Sequence, residues 1–234
     1  MNDSINTLRN ITNAAAGTKV ATEKTLSIYE MLFGGGWAGT AIIVITLLLF
    51  VLAVYIFFER LFVIRKSSKV DAQFMNTIRD FVHDGKIEAA IDLCRSKNTP
   101  ESRMIEKGIM RIGRPLSDIS QSIENTAKLE IFQLEKNISI LATVAGAAPM
   151  LGFLGTVIGV IMVFFNITHA SGGNINPQDL AGGLFTAMNT TAVGLMVGIP
   201  AYVGYNYLVT KIDKTVYSLQ NSAVNFLDLI NKPL

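Results

Sequence analysis

LATVAGAAPMLGFLGTVIGVIMVFF, residues 141–165, runs for 25 residues without one charge, enough for a helix to cross about 30 Å of hydrocarbon. A span that only met lipid could be built from Leu and Ile. This one is crowded with Gly, Ala, Thr and a Pro, so one of its faces must meet something other than acyl chains. Both properties, the length and the small residues, recur along the chain.

Half of the 234 residues are hydrophobic and only 16% are charged, against about 25% in an ordinary soluble domain. Charge-free runs cover Ala38–Phe58, Ser139–Ile167 and Leu180–Thr210. A buried helix of a soluble core usually shows about 10–14 such residues, and a chain this short has too little mass to enclose three longer ones. The expectation is an all-α integral membrane protein with three transmembrane helices, at 37–59, 139–167 and 181–210. Residues 1–22 lack an apolar core ahead of a small-residue cleavage site, so no signal peptide is expected and the first span acts as its own insertion signal.

Lys and Arg number 3 before Gly36, 14 within 59–138, none within 167–179 and 3 from Lys211 onward. The positive-inside rule then places 60–138 in the cytoplasm as a helical domain, the tail 1–36 and the loop 168–180 in the periplasm, and 211–234 in the cytoplasm as a C-terminal tail. The 14 cations of the middle segment sit among 12 acids, as on a solvated helical domain, and give no sign of nucleic-acid binding. In the first tail, Leu26, Tyr29 and Phe33 fall on one face of a short interfacial helix, with GGGW after it and Trp37 at aromatic-belt height.

Within 60–138, apolar residues recur at threes and fours, and Thr99-Pro100 makes a cap and first-turn pair. From Leu116 no Pro or Gly intervenes before Gly146 and Pro149. A helix carrying Ile119, Ile123, Ile131 and Leu134 is predicted to run straight into the second span, about 75 Å in all.

On a helical wheel the second span divides. Pro149, Gly152, Thr156, Gly159 and Val163 share one side and Leu154, Val157, Ile161 and Phe165 the other, while Gly155 and Gly159 form a GxxxG that lets backbones approach. The third span divides likewise, with Thr186, Asn189, Thr190, Thr191, Gly194 and Gly198 on a broad small side and Pro200 expected to kink it. The helix-packing residues are therefore Pro149, Gly152, Gly155, Gly159, Gly194, Gly198 and Pro200. Two readings fit the hydroxyls: glue between helices, each Thr bonding its own backbone, or the wall of a wet path, suggested by Asn189, Thr190 and Thr191 in a row with Thr186 a turn above. Thr156, Thr191, Thr186, Asn189 and Thr190 are the candidate ion-pathway residues.

No Asp, Glu, Lys, Arg or His lies inside any span. Hydroxyls titrate too far from neutrality to store a proton, so an ion carrier would have to come from a partner. Glu59 and Arg60, at the inner end of the first span, read as interfacial anchors. The single Cys94 falls in the cytoplasmic segment, and His83 and His169 fall on opposite sides of the membrane, so no Cys/His dyad or zinc site assembles. No catalytic residue, metal site or cofactor is expected, and the chain does not read as an enzyme.

FFERLFVIRK (57–66), NTPESRMIEKGIMRIGRPL (98–116), LEKNISILATVAGAAPMLGFLGTVIGVI (134–161) and TAVGLMVGIPAYVGYNYLV (191–209) resemble the ExbB/TolQ/MotA proton-channel family, most nearly its ExbB members, over about Ser27 to Ile212. The resemblance implies a homo-oligomer, a pentamer, in the bacterial inner membrane, with the second and third spans around a central pore. There an ExbD-like single-span partner places an Asp, and a TonB-like protein carries the resulting motion to outer-membrane transporters. Thr156 in GFLGTV and Thr191 in TTAVGL match the family's pore threonines. Many relatives carry Glu five residues before the second of these; here it is Thr186, which leaves the partner's Asp as the candidate carrier. Hydroxyl and amide oxygens suit H⁺ and Na⁺ alike. Competing readings are a TolQ-like or gliding-type motor subunit, or a non-conducting scaffold for partner helices.

Overall fold

The computed structural model describes residues 36–67, 72–169 and 177–231. Among them are seven α-helices and no strand: α1 (Gly36–Ser67), α2 (Ala72–His83), α3 (Ile87–Lys97), α4 (Pro100–Ile109), α5 (Leu116–Glu135), α6 (Ile138–His169) and α7 (Pro177–Asn231). Three stretches, in α1, in α5–α6 and in α7, are long and apolar enough to cross a membrane, and the chain is an all-helical membrane protein. The short helix expected at 25–33, the tail before it and the middle of the 168–180 connection lie outside the described residues.

The short helices end where local chemistry stops them. Gly85, at φ 73, closes α2 with two backbone bonds, Lys86 N–H to Phe81 O at 2.8 Å and Gly85 N–H to Val82 O at 3.2 Å. Only a residue that tolerates a left-handed backbone can make that turn. Asn98, left-handed at φ 45, closes α3. α4 then opens on a capping box: Ser102 N–H donates to Thr99 Oγ1 at 3.2 Å, Thr99 N–H donates to Ser102 Oγ at 2.9 Å, and Pro100 fills the first turn where no N–H is needed.

The long helix predicted from Leu116 into the second span is two helices. α5 stops at Glu135, Lys136 turns to ψ 135, Asn137 sits at φ 63, and α6 begins at Ile138. Asn137 takes a left-handed backbone as Asn98 does at the end of α3, and here a tertiary contact meets the break. Arg60 of α1 is 5% exposed, and its Nη1 donates to the Gln133 carbonyl at 3.2 Å. That carbonyl is one that the end of α5 leaves without a helical partner. A second difference lies at the C-terminus. The residues read as a tail from 211 belong to α7, which stays helical through Pro200 and on to Asn231, 55 residues or about 80 Å.

Two apolar cores stack along α7. In one, Ala53 and Ile56 of α1 meet Leu141 and Val144 of α6 and Val197 and Leu208 of α7. The other, beyond the spans, gathers Ile78, Cys94, Met104, Ile105 and Ile123 around Leu219 and Phe226. Phe226 is fully buried against Gly108, where a Cβ would come within 2.7 Å of its ring. Ile78, Met104, Ile105 and Phe226, each fully covered, stabilise this bundle by about 1.5–3 kcal/mol apiece. Polar clasps fix its register. Ser222 Oγ donates to Glu101 Oε1 at 2.5 Å, and Arg103 grips Glu130 through Nε at 2.7 Å and Nη2 at 2.5 Å while its Nη1 holds Asn98 Oδ1 at 2.8 Å.

Cys94 lies inside this second core. Burial first, and then the negative charge of Glu106, push its thiol up to about 12 from 9.0. The folded chain therefore holds the thiol proton that the unfolded chain releases near 9, so this group's contribution to stability falls as pH rises from about 9 towards 12. A maleimide at pH 8 is expected to label the folded protein about 100-fold or more slower than the denatured one, read by mass spectrometry. Comparable rates would place Cys94 outside the core.

Candidate functional site

In lipid there is no hydrophobic gain in joining two apolar helices, so close packing has to do the work. α6 and α7 meet along the side where both lack side chains. A Cβ on Gly194 would lie 2.7 Å from the Ala148 carbonyl and 2.9 Å from Gly152 Cα; one on Gly159 would lie 2.8 Å from the Gly183 carbonyl; one on Gly198 would lie 2.5 Å from the Pro149 ring. Gly152 faces the Thr190 carbonyl at 3.0 Å and Thr191 Cα at 3.1 Å on the same measure. Pro200 lies on the exposed side of α7, one turn beyond the tight part of this contact.

That approach brings two hydroxyls together. Thr156 Oγ1 and Thr191 Oγ1 are in direct hydrogen-bond contact, and both reach the same two carbonyls: Thr156 to Gly152 O at 3.3 Å and Ala187 O at 3.2 Å, Thr191 to Gly152 O at 3.2 Å and Ala187 O at 3.3 Å. A hydroxyl donates one hydrogen and accepts two. With carbonyls and each other taking the donors, each oxygen keeps acceptor capacity, and both residues are only half-buried. The pair can present oxygen to a protonated group or a cation approaching from outside the subunit.

Of the remaining polar candidates, Thr190 reaches a group that the pair uses, the Ala187 carbonyl. Thr190, 2% exposed, bonds Thr186 O and Ala187 O at 3.0 Å each and packs behind the pair against Gly155. Thr186, 5% exposed, bonds Gly182 O at 2.9 Å, and its methyl sits where Gly39 of α1 leaves room, 2.6 Å from a Cβ placed there. Asn189 is buried too, 6% exposed. Consecutive residues on a helix point about 100° apart, which is why Thr190 and Thr191 part company. Gly39, which lets span one reach Thr186, was missed by sequence reasoning; its only signal was a small residue early in an otherwise bulky span.

An apolar groove of about 600 Å³ opens between α1, α6 and α7, lined by Phe50, Phe57, Pro200, Gly204 and Tyr207 among others. Its lining is almost wholly apolar, Tyr207 being the one residue in it with a side-chain hydroxyl. Among the described residues no cluster of His, Cys, Asp or Glu could hold a metal.

The family described as the MotA/TolQ/ExbB proton channel family matches residues 96–221, which include α5, α6, the threonine pair and most of α7. The chain is 29% identical to an ExbB homolog of Methanothermobacter thermautotrophicus over 199 residues, 83% of this chain and 67% of that one. It is 42% identical to the biopolymer transport protein ExbB of Aquifex aeolicus over 104 residues, 43% of this chain and 68% of that one. The Tol-Pal system protein TolQ of Haemophilus influenzae is 34% identical over 99 residues, 42% of each chain.

Because their Cβ positions are occupied, Gly155→Val and Gly194→Val are expected to destabilise the α6–α7 contact by about 1–3 kcal/mol or more each. Gly146→Ala and Gly182→Ala, which meet nothing within 4 Å, are expected to be neutral in the isolated subunit. Thermal unfolding in detergent checks this; equal tolerance of all four would mean that the two helices are not in backbone contact.

Proposed function

Because this chain belongs to the MotA/TolQ/ExbB proton channel family, we propose that it is the channel-forming subunit of an inner-membrane motor, energised by the proton-motive force, that serves transport across the outer membrane. The assembly is a homo-oligomer, a pentamer, with α6 and α7 around a central pore. The N-terminus and the 168–180 loop are periplasmic, and the bundle of α2 to α5 with the end of α7 is cytoplasmic. An ExbD-like single-span partner supplies an Asp beside Thr156 and Thr191, and a TonB-like protein takes up the motion.

One observation supports this above the rest. Of the five polar candidates in the spans, only the bonded Thr156–Thr191 pair is left half-exposed; Thr186, Asn189 and Thr190 are turned inside the subunit. A hydroxyl pair alone cannot carry a charge across hydrocarbon, because neither group ionises near neutrality. Beside a carboxylate it can, by accepting from the protonated form and by turning a hydroxyl hydrogen from its carbonyl to the ionised one. The cost of bringing a carboxylate to membrane depth is then shared with two preformed dipoles rather than met in bare hydrocarbon. The likeness to TolQ supports a second reading within the same chemistry, in which the motor maintains the envelope instead of driving uptake.

Thr156→Ala and Thr191→Ala each remove one dipole and leave the glycine contact intact. Each is expected to reduce proton influx into proteoliposomes holding the assembled complex by about 10- to 100-fold, the effect of losing a hydrogen bond to a charged group, with the amount of complex unchanged. A scaffold that only holds partner helices would tolerate both. Undiminished influx in both variants sinks the ion-path reading, and partner-dependent uptake against envelope integrity separates the ExbB-like from the TolQ-like role.

A further inference from the structure

The joint between α5 and α6 lies in a sequence whose one local signal is Asn137, a residue that accepts the left-handed backbone. Residues 134–141, LEKNISIL, hold neither Gly nor Pro. Buried Leu134, Ile138, Leu141, Val144 and Ala148 keep helical three-and-four spacing across the break, so a straight helix through 136–137 would bury the same side chains.

What a straight helix could not keep is the contact with span one. In a continuous helix the Gln133 carbonyl would accept from the amide of residue 137. Here Asn137 is turned away at φ 63, and the guanidinium of Arg60 takes the amide's place at 3.2 Å. Nη2 of the same group is held by Glu59 at 2.8 Å, and its Nε is buried with no acceptor. A cation placed on the last carbonyls of α5 also sits at the negative end of that helix's dipole. Against this stands the left-handed residue, which costs about 1–2 kcal/mol in general and less for Asn. Two conformations with the same buried stripe thus differ by the cation-to-carbonyl bond and its dipole on the bent side, against the closed backbone ladder and the helical dihedrals of Lys136 and Asn137 on the straight side.

We propose that 136–137 is a two-state joint and that Arg60 is a positioning residue holding it bent, so that span one sets the direction in which span two, with Thr156, leaves the extramembrane bundle. Thr156 lies about 28 Å along α6 from the joint, so a turn of about 10° there moves it by about 5 Å relative to α5. The consequence for ion flow rests on the channel reading given above; the joint itself does not.

The test uses the full chain, assembled in its native membrane and reconstituted. Hydrogen exchange is followed on peptides covering 130–142, together with proton influx per assembled complex. Arg60→Met and, separately, Asn137→Ala are expected to raise protection of the amides from 136 to 140 by about tenfold or more as the ladder closes, and to lower influx. Arg60→Lys, which keeps a donor and the charge, falls between. Asn137→Gly, which relieves the left-handed residue, restores both readouts when added to Arg60→Met. Unchanged exchange at the joint in Arg60→Met and Asn137→Ala overturns the proposal. So does faster exchange spread along all of α5 and α6, or a failure of Asn137→Gly to restore them, since either means general loosening. If Arg60→Met does not assemble, the comparison of Asn137→Ala with Asn137→Gly decides by itself. A joint that responds as expected in a complex that passes no protons would keep the joint and discard the channel.

Discussion

Two helix backbones brought within reach of each other's carbonyls are what the rest of this molecule depends on. Lipid supplies no drive to bring apolar helices together, so α6 and α7 associate through dispersion over a surface from which side chains have been removed. Gly152 against Gly194, Gly159 against Gly183 and Gly198 against Pro149 set that separation. The same separation makes the site. Thr191 reaches the Gly152 carbonyl, and Thr156 the Ala187 carbonyl, only because nothing larger than hydrogen stands between the helices. Outside the spans the problem is the ordinary aqueous one and so is its solution: a compact core around Phe226, with the Arg103–Glu130 fork and the Glu101–Ser222 clasp fixing which faces meet.

The spans were legible in the sequence because hydrocarbon tests composition directly: a run without charge has few other places to go. The stripe of Ile119, Ile123 and Leu134 was legible too, since burial repeats with the helix. The joint at 136–137 was not, because Asn137 can either continue a helix or turn left-handed, and the Arg60 side chain that meets the break stands 73 positions away. The extension of α7 was a different kind of loss. Ile212, Leu219 and Phe226 recur every seven residues and are all buried. That signal was present beneath Lys211, Asp213 and Lys214, whose charges ended the apolar run and masked the helix going on.

For the site, the side of each span that carries small residues could be read from a wheel, but the partner of each side chain could not. Thr190 and Thr191 are neighbours in sequence and both reach the Ala187 carbonyl, yet only Thr191 crosses to the Gly152 carbonyl and to Thr156, while Thr190 lies buried behind Gly155. Hydropathy gives no warning of this, since it assigns the two the same value. Nor does it say that α1 lies over Thr186, a placement that rests on one absent side chain at Gly39.

Among the described helices α7 is the longest and lines both cores along much of its length. Helices α1, α2, α4, α5 and α6 all pack on it, so each leaves the ribosome with a face still waiting for residues 177–231. At about 5–20 residues per second, those 55 residues take about 3–10 s to appear, and through that interval the earlier spans sit in the bilayer as an unfinished hairpin with an open bundle beside it. Both cores are therefore closed by one helix, made after the helices that it seals. A nascent product that stops short of Phe226 presents quality-control proteases with an unsealed interior instead of a smaller version of the finished protein.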